Sequence, residues 1–299
     1  MSSVSEGRFR SSSVPLITHG PLRTTLRADD GVLIEAVYDP CTADDGAGAA
    51  AGEAGTAIVV AHGFTGSVDR PAVRRAAGVF SQRAAVVTFS FRGHGGSGGR
   101  STVGDREVLD LAAAVAWARS LGHRRVVTVG FSMGGSVVLR HGALYTAPAA
   151  EAEGVRSVAA HGGRTEAREG AHVDAVVSVS APARWYYRGT APMRRLHWVV
   201  TRPTGRLVGR YGFRTRIDRN DWDPVPLSPV DAVPHIAPAP LLIVHGDRDP
   251  YFPLDHPRML AAAAADGAAE LWLERGMGHA ENAADETLLT RIADWAMTR

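Results

Sequence analysis

A serine within a glycine-rich pattern is the residue of this 299-residue chain with the clearest potential for nucleophilic chemistry. Ser132 is the central residue of a G-x-S-x-G pattern at 130–134, which follows a β-branched run at 126–129 and precedes a helix-compatible segment. A strand, this pattern and a helix in succession are typical of a nucleophile elbow, where small neighbours permit the strained turn that exposes the serine. Because G-x-S-x-G often arises by chance, its interpretation depends on a base and an acid elsewhere.

A candidate base and two candidate acids follow the last two predicted strands, at 241–244 and 271–273. A serine hydroxyl is a poor nucleophile without a base, and a histidine base needs a carboxylate to fix its tautomer. His279 follows the second strand, and both Asp247 and Asp249 follow the first. Open α/β sheets carry their sites at the carboxyl ends of the strands, so we expect these side chains to meet Ser132 there.

Five motifs occur in the order in which α/β-hydrolases have them, and the chain resembles that family over about residues 22 to 299, apart from 42–55 and 146–173. The motifs are His-Gly-Phe-Thr-Gly at 62–66, Arg-Gly-His-Gly at 92–95, the serine pattern at 130–134, the acid-strand motif at 245–253 and Gly-His at 278–279. The first and third look most like those of small bacterial carboxylesterases and monoacylglycerol-lipase-like enzymes.

The resemblance implies a role for each matching residue. Ser132, Asp249 and His279 correspond to the nucleophile, the acid and the base, in the chain order of the family. Asp247 is then expected to fix its loop by hydrogen bonds. The oxyanion hole is implied to consist of the backbone N–H groups of Phe64 and Met133.

Strands that alternate with helices from residue 57 onward predict an α/β fold, with a mainly parallel central sheet and helices on both faces. This α/β-hydrolase fold is expected to form one domain over 21–299, after a disordered N-terminus at 1–20. The resemblance implies a small lid inserted after the sixth strand, at about 183–238. The Ala-, Glu-, Gly- and Arg-rich stretch at about 146–173 is expected to be a mobile insertion.

The expected lid is strongly basic and rich in aromatic residues. Residues 184–219 include one acid, Asp218, and ten arginines, at positions 184, 188, 194, 195, 202, 206, 210, 214, 216 and 219. One interpretation is an apolar acyl pocket with a cationic rim, suited to a substrate with an anionic part or to a lipid surface. The other is an ordinary solvated lid. No recognition motif accompanies the charge, so no nucleic-acid partner is expected.

Composition and motifs narrow the classes of function further. The longest apolar runs fall short of the roughly 18 residues of a transmembrane helix, and the single cysteine, Cys41, gives neither an intramolecular disulfide nor a metal cluster. No phosphate-binding loop or dinucleotide fingerprint is present, so no cofactor and no metal are expected. A cytoplasmic location follows as the default expectation, and the oligomeric state stays open.

The sequence therefore predicts a serine hydrolase that cleaves a small-molecule carboxylic ester or thioester through an acyl-enzyme intermediate. An acyltransferase or a peptidase would use the same three residues, and both remain open. A non-catalytic binding protein of the same fold is the alternative from another class. Such proteins usually lack one member of the triad, whereas this chain has all three.

Overall fold

The computed structural model describes residues 20–43, 55–145, 170–265 and 268–299 of the chain. The N-terminus expected to be disordered lies outside these residues, apart from Gly20. The insertion expected at 146–173 also lies outside them, apart from residues 170–173.

Eight strands form the central sheet of the described residues. They are β1 (Leu22–Arg27), β2 (Leu33–Asp39), β3 (Thr56–Ala61), β4 (Ala85–Phe89), β5 (Arg125–Phe131), β6 (Ala175–Val179), β7 (Leu241–Gly246) and β8 (Ala269–Glu274). Their order across the sheet is β1-β2-β4-β3-β5-β6-β7-β8. β2 pairs antiparallel with both β1 and β4, and every other pair is parallel. The sheet is thus mainly parallel, as the sequence predicts.

β-Branched residues make the inner strands apolar on both faces of the sheet. In β3, Ile58 and Val60 belong to one buried cluster, whereas Val59 between them belongs to the other. Successive side chains of a strand point to opposite faces, so such a strand requires cover on both sides.

Helices supply this cover on each face of the sheet. They are α1 (Pro71–Phe80), α2 (Glu107–Ser120), α3 (Met133–Leu144), α4 (Ala191–Thr201), α5 (Pro203–Gly212), α6 (Pro229–Ala232), α7 (Asp255–Ala263), α8 (Ala280–Ala283) and α9 (Glu286–Thr298). α2 and α3 belong to the cluster that contains Val59, through Leu111 and Val137. α1 and α9 belong to the opposite cluster, through Ala76 and Ile292. This is the α/β-hydrolase architecture that the sequence predicts.

The chain between β6 and β7, residues 180–240, holds α4, α5 and α6 and is here called the β6–β7 segment. It includes the range 183–238 in which the lid is expected. Its backbone bonds to the glycine-rich loop after β4: the N–H of Arg216 donates to Gly93 at 2.8 Å, and the N–H of Ser101 donates to Arg216 at 2.7 Å. These bonds hold part of the segment beside the carboxyl ends of the strands.

Candidate active site

Ser132 occupies a sharp turn between β5 and α3. Its backbone has φ 53° and ψ −112°, which a residue with a side chain rarely adopts. A Cβ at Gly130 would collide with the carbonyl oxygen of Gly134, and a Cβ at Gly134 would collide with that of Ala61. Only glycine therefore allows the strand and the helix to close around the serine.

The structure brings Ser132, His279 and Asp249 together from the ends of three strands. The Nε2 atom of His279 lies 2.8 Å from the Oγ atom of Ser132. Its Nδ1 atom lies 2.7 Å from Oδ2 of Asp249. Since an ionised carboxylate only accepts, Nδ1 carries the ring proton, and Nε2 is free to accept from the serine hydroxyl.

The Asp249 carboxylate is held from its other side by backbone N–H groups. Its Oδ1 atom accepts from Tyr251 at 2.8 Å and from Phe252 at 3.1 Å, and its side chain has no exposed surface. His245 lies behind it and bonds through Nε2 to the carbonyl oxygen of Phe252 at 2.8 Å. Burial lowers the pKa of His245, so this ring is neutral and packs behind Asp249.

Asp247 is placed differently from Asp249, although both lie in the same loop. It is exposed, and its Oδ1 atom accepts from the N–H of Gly276 at 2.6 Å. Its own N–H donates to Glu274 at 3.0 Å. Asp247 therefore ties the loop after β7 to the loop after β8, the position expected of a residue that fixes its loop.

The 62–66 loop after β3 lies beside Ser132 and is fixed by His62. The N–H of Phe91 donates to Nε2 of His62 at 3.0 Å, so Nδ1 carries the proton and donates to the carbonyl oxygen of Gly63 at 2.7 Å. Burial lowers the pKa of His62 to about 3, because the charged ring would lose its hydration. The ring is neutral and holds the loop.

Phe64 and Met133, the two residues expected to form the oxyanion hole, line the same cavity as Ser132. Met133 is the first residue of α3, and the first N–H groups of a helix have no partner within the helix. The positive end of the helix dipole also lies here and favours negative charge.

Glu281 is a residue of this site that the sequence analysis missed. It is buried two residues after His279, and its Oε1 atom accepts from the N–H of Gly63 at 3.1 Å. The only sign of Glu281 in the sequence is that an acidic residue stands two positions after His279.

A cavity of about 590 Å³ opens beside Ser132. Much of its wall comes from the β6–β7 segment, including the side chains of Trp185, Tyr187, Met193, Leu196, Val200 and Trp222. The indole N–H of Trp222 donates to the carbonyl oxygen of Thr102 at 2.7 Å, which fixes that ring. His197 also lines the cavity.

The polar wall of the cavity contains both signs of charge and one hydroxyl without a partner. Four arginines and two aspartates line it: Arg184, Arg188, Arg206, Arg219, Asp218 and Asp221. Ser136, one helical turn after Ser132, is buried, and its Oγ atom has no hydrogen-bond partner among the described residues. Of these features the sequence predicts the arginines but not Ser136.

The described part of the chain contains neither a clustered set of metal ligands nor a membrane-spanning helix. Within it, no cluster of three or more His, Cys, Asp or Glu side chains is arranged to hold a metal ion. Nor does any helix in the described ranges have the length and apolarity needed to cross a bilayer.

The sequence pattern of a known family matches most of the chain. Residues 58–288 match the Alpha/beta hydrolase family, a range that includes Ser132, Asp249 and His279. The chain belongs to the alpha/beta hydrolase family. Curated protein sequences give no match to it.

Several solved structures share the fold at low sequence identity. The esterase Pf2001 of Pyrococcus furiosus is 18% identical with a TM-score of 0.62, and the alignment covers 97% of this chain and 98% of that one. Est1E of Butyrivibrio proteoclasticus, solved with ferulic acid, is 17% identical with a TM-score of 0.57, over 92% and 96% of the two chains. XC6422 of Xanthomonas campestris, described as a serine hydrolase without a lid, is 17% identical with a TM-score of 0.55, over 95% and 94%. At such identities the likeness establishes the fold.

Proposed function

We propose that this alpha/beta hydrolase cleaves a carboxylic ester or thioester through an acyl-enzyme intermediate, with Ser132 as nucleophile, His279 as base and Asp249 as the orienting acid. The observation that carries the proposal is the continuous chain of hydrogen bonds, 2.8 Å from Ser132 to His279 and 2.7 Å from His279 to Asp249. The first contact is short enough for proton transfer from Ser132 to His279, and the second is short enough for Asp249 to orient the ring.

In the acylation step the Ser132 hydroxyl attacks the carbonyl carbon of the substrate while its proton passes to Nε2 of His279. The imidazolium that forms is stabilised by Asp249, which stays ionised. His279 then donates this proton to the leaving alcohol or thiol as the carbon–oxygen or carbon–sulfur bond breaks. The acyl group remains on the Oγ atom of Ser132.

The tetrahedral intermediate carries negative charge on the former carbonyl oxygen. We assign its stabilisation to the backbone N–H groups of Phe64 and Met133, since both residues line the same cavity as Ser132. Preorganised donors of this kind lower the barrier because they need no rearrangement when the charge develops. In the second half of the reaction, water attacks the acyl carbon while its proton passes to His279. His279 then returns this proton to the Oγ atom of Ser132 as the bond between the acyl carbon and Oγ breaks, which releases the acid.

We assign the β6–β7 segment as a lid over this site. We also assign residues 21–299 to one domain. The support is that α4 contributes Met193, Leu196 and Val200 to the cavity wall beside Ser132. An apolar wall of this size accommodates the acyl or alcohol part of a small-molecule ester. Arg188 and Arg219 at the same cavity suit a substrate with an anionic part, whereas Asp218 and Asp221 oppose it.

The names of two structural neighbours agree with ester hydrolysis. The Pyrococcus furiosus protein is called an esterase, and the Butyrivibrio proteoclasticus protein was solved with ferulic acid, an aromatic carboxylic acid. Transfer of the acyl group to an acceptor other than water, or attack on an amide, would use the same three residues. A p-nitrophenyl ester series of rising acyl length, compared with matched amides and with added alcohol acceptors, distinguishes these reactions.

The decisive experiment is labelling of the protein with a fluorophosphonate probe. We expect wild-type protein to be labelled and to hydrolyse p-nitrophenyl esters, and Ser132→Ala to lose both properties. Ser136→Ala is the matched control, because this serine lines the same cavity but its hydroxyl bonds to no base within the described residues. Labelling that persists in Ser132→Ala, or a wild-type protein that the probe does not label, overturns the proposal and favours a binding protein.

A further inference from the structure

The outer side of α4 and α5 exposes a concentration of large apolar side chains. The described residues have ten exposed large hydrophobics, and five of them lie here: Trp198, Leu207, Val208, Tyr211 and Phe213. Tyr211 is the most exposed, at 74%. These five residues, with the arginines around them, are called the outer α4–α5 face. Clustered exposed apolar residues mark surfaces that contact another phase or molecule.

Three of the five apolar side chains of this face lie around one groove. Trp198, Val208 and Phe213 line a shared groove of about 520 Å³, together with Arg194 and Arg195. α4 carries apolar residues on two opposite faces. Its inner face lines the cavity beside Ser132 with Met193, Leu196, His197 and Val200. The outer groove is therefore separated from the cavity by one helix.

The charge around this surface has a single sign. Residues 189–217 contain seven arginines and no acidic residue. Across the part of the chain that the structure describes, no ion pair joins Arg195, Arg202 or Arg210 to a carboxylate, and all three are exposed. The Arg210 guanidinium lies 5.5 Å from the centre of the Tyr211 ring, so charge and apolar surface are adjacent.

We propose that the outer α4–α5 face docks onto an anionic lipid surface. Exposed Trp, Tyr, Phe and Leu side chains enter the boundary between head groups and acyl chains, and arginines attract anionic head groups while their stems follow the apolar surface. A second copy of the chain fits poorly, since a twofold contact would bring the arginines of both copies together. A nucleic acid also fits poorly, because its phosphates would bind the arginines but would not contact the apolar side chains of Leu207 and Val208 favourably.

Docking in this orientation has a consequence for the cavity. Because α4 lines the cavity with its opposite face, a docked molecule holds the cavity about one helix diameter, roughly 10–12 Å, from the lipid surface. The proposal does not depend on the ester hydrolysis proposed above, because none of Trp198, Leu207 and Tyr211 lines that cavity.

The test measures co-sedimentation of the full chain with vesicles of phosphatidylcholine alone or with phosphatidylglycerol added. We expect binding to the anionic vesicles only, and weaker binding as salt rises from about 0.05 to about 0.5 M, because screening shortens the range of the attraction. The triple variant Arg195→Gln/Arg202→Gln/Arg210→Gln should bind about tenfold more weakly or worse. Its matched control is Arg100→Gln/Arg124→Gln/Arg258→Gln, which removes three exposed arginines elsewhere and should bind as wild type.

The apolar contribution is tested by Leu207→Ser/Tyr211→Ser against the control Leu33→Ser/Met297→Ser, since all four side chains are exposed. Only the first pair should weaken vesicle binding, and hydrolysis of a water-soluble short-chain ester should be unchanged in both. Equal binding to both kinds of vesicle, or equal loss in variant and control, overturns the proposal. The proposal is also overturned if anionic vesicles are not bound and the protein instead forms a dimer or a complex with an oligonucleotide. In that case Leu207→Ser/Tyr211→Ser or the arginine variant would disrupt the dimer or the complex.

Discussion

The carboxylate of Glu281 accepts the N–H of Gly63 at 3.1 Å, and this contact joins the two loops that flank Ser132. Glu281 lies two residues after His279 and is 7% exposed, whereas Gly63 directly precedes Phe64, the proposed oxyanion donor. The Arg75 guanidinium donates to the carbonyl oxygen of Glu281 at 2.6 Å and fixes its backbone. The base loop and the oxyanion loop are thus held in register by one hydrogen bond.

Glu281→Ala should lower kcat roughly tenfold and change KM little. Loss of an oxyanion donor costs about 10²–10³ in kcat, and a donor that is only misaligned should cost less. Glu281→Gln should restore most of the rate, because its amide oxygen can accept the same N–H. Steady-state hydrolysis of a p-nitrophenyl ester, measured well below the melting temperature, gives both constants.

A thermal melt of Glu281→Ala, read beside its kcat, separates positioning from folding. If Glu281 only stabilises the fold, Glu281→Ala should lower the melting temperature and leave kcat at wild-type level in the folded protein. Equal kcat values for Glu281→Ala and wild type would contradict the positioning role.

Asp249 and Asp247 should respond in opposite ways to replacement by asparagine. Asp249→Asn should lower kcat by about 10⁴, because an amide N–H facing Nδ1 of His279 favours the wrong tautomer. Asp247→Asn should lower the free energy of unfolding by about 1 kcal/mol, since its bond to Gly276 is at the surface, and should change kcat only slightly. Ester turnover and a thermal melt of both variants provide the comparison, and the reverse pattern would assign the acid role to Asp247.

Ser132→Gly should be more stable than Ser132→Ala, although both should be inactive. The φ of 53° at this position is strained for any residue with a side chain, at about 1–3 kcal/mol. Glycine relieves this strain but adds about 0.5–1 kcal/mol of chain entropy in the unfolded state. A net gain of about 0.5–2 kcal/mol is expected in urea unfolding. Equal unfolding midpoints for the two variants would show that the turn stores no strain.

The sequence predicts the parts of this molecule that depend on local residue types. The turn at Ser132 is an example, since the β-branched strand before it and the glycines around it are sufficient to indicate its shape. Helix ends are less well predicted. The end of α1 at Phe80 depends on a turn in which the N–H groups of Arg83 and Ala84 both donate to the carbonyl oxygen of Phe80.

Contacts between distant segments could not be predicted from the sequence. Glu281 and Gly63 are 218 residues apart, and nothing near either residue indicates the other. The hydrogen bond from Arg216 to Gly93 could not be predicted either, because it depends on how the β6–β7 segment folds over the sheet. That the hydroxyl of Ser136 has no hydrogen-bond partner among the described residues becomes apparent only from the folded cavity wall.

The fully buried ring of His141 should make the protein less stable in mild acid. It lies in α3, stacks on Tyr145 with 4.5 Å between ring centres, and has no hydrogen-bond partner at either nitrogen among the described residues. Burial lowers its pKa to about 3, from an ordinary value near 6.5. Between these values the unfolded chain binds a proton that the folded chain does not, so stability is complete above about pH 6.5 and falls as pH decreases.

From pH 7 to pH 5 this residue alone should cost about 2 kcal/mol of the free energy of unfolding, the charging of one unfolded-state imidazole over that range. His141→Leu keeps the site apolar and should reduce the loss between the two pH values by about that amount. His235→Gln replaces an exposed histidine and is the control, with the pH dependence expected to match wild type. Urea unfolding of the three proteins at both pH values measures the difference. Parallel losses in His141→Leu and wild type would mean that the folded protein already accommodates the proton on His141.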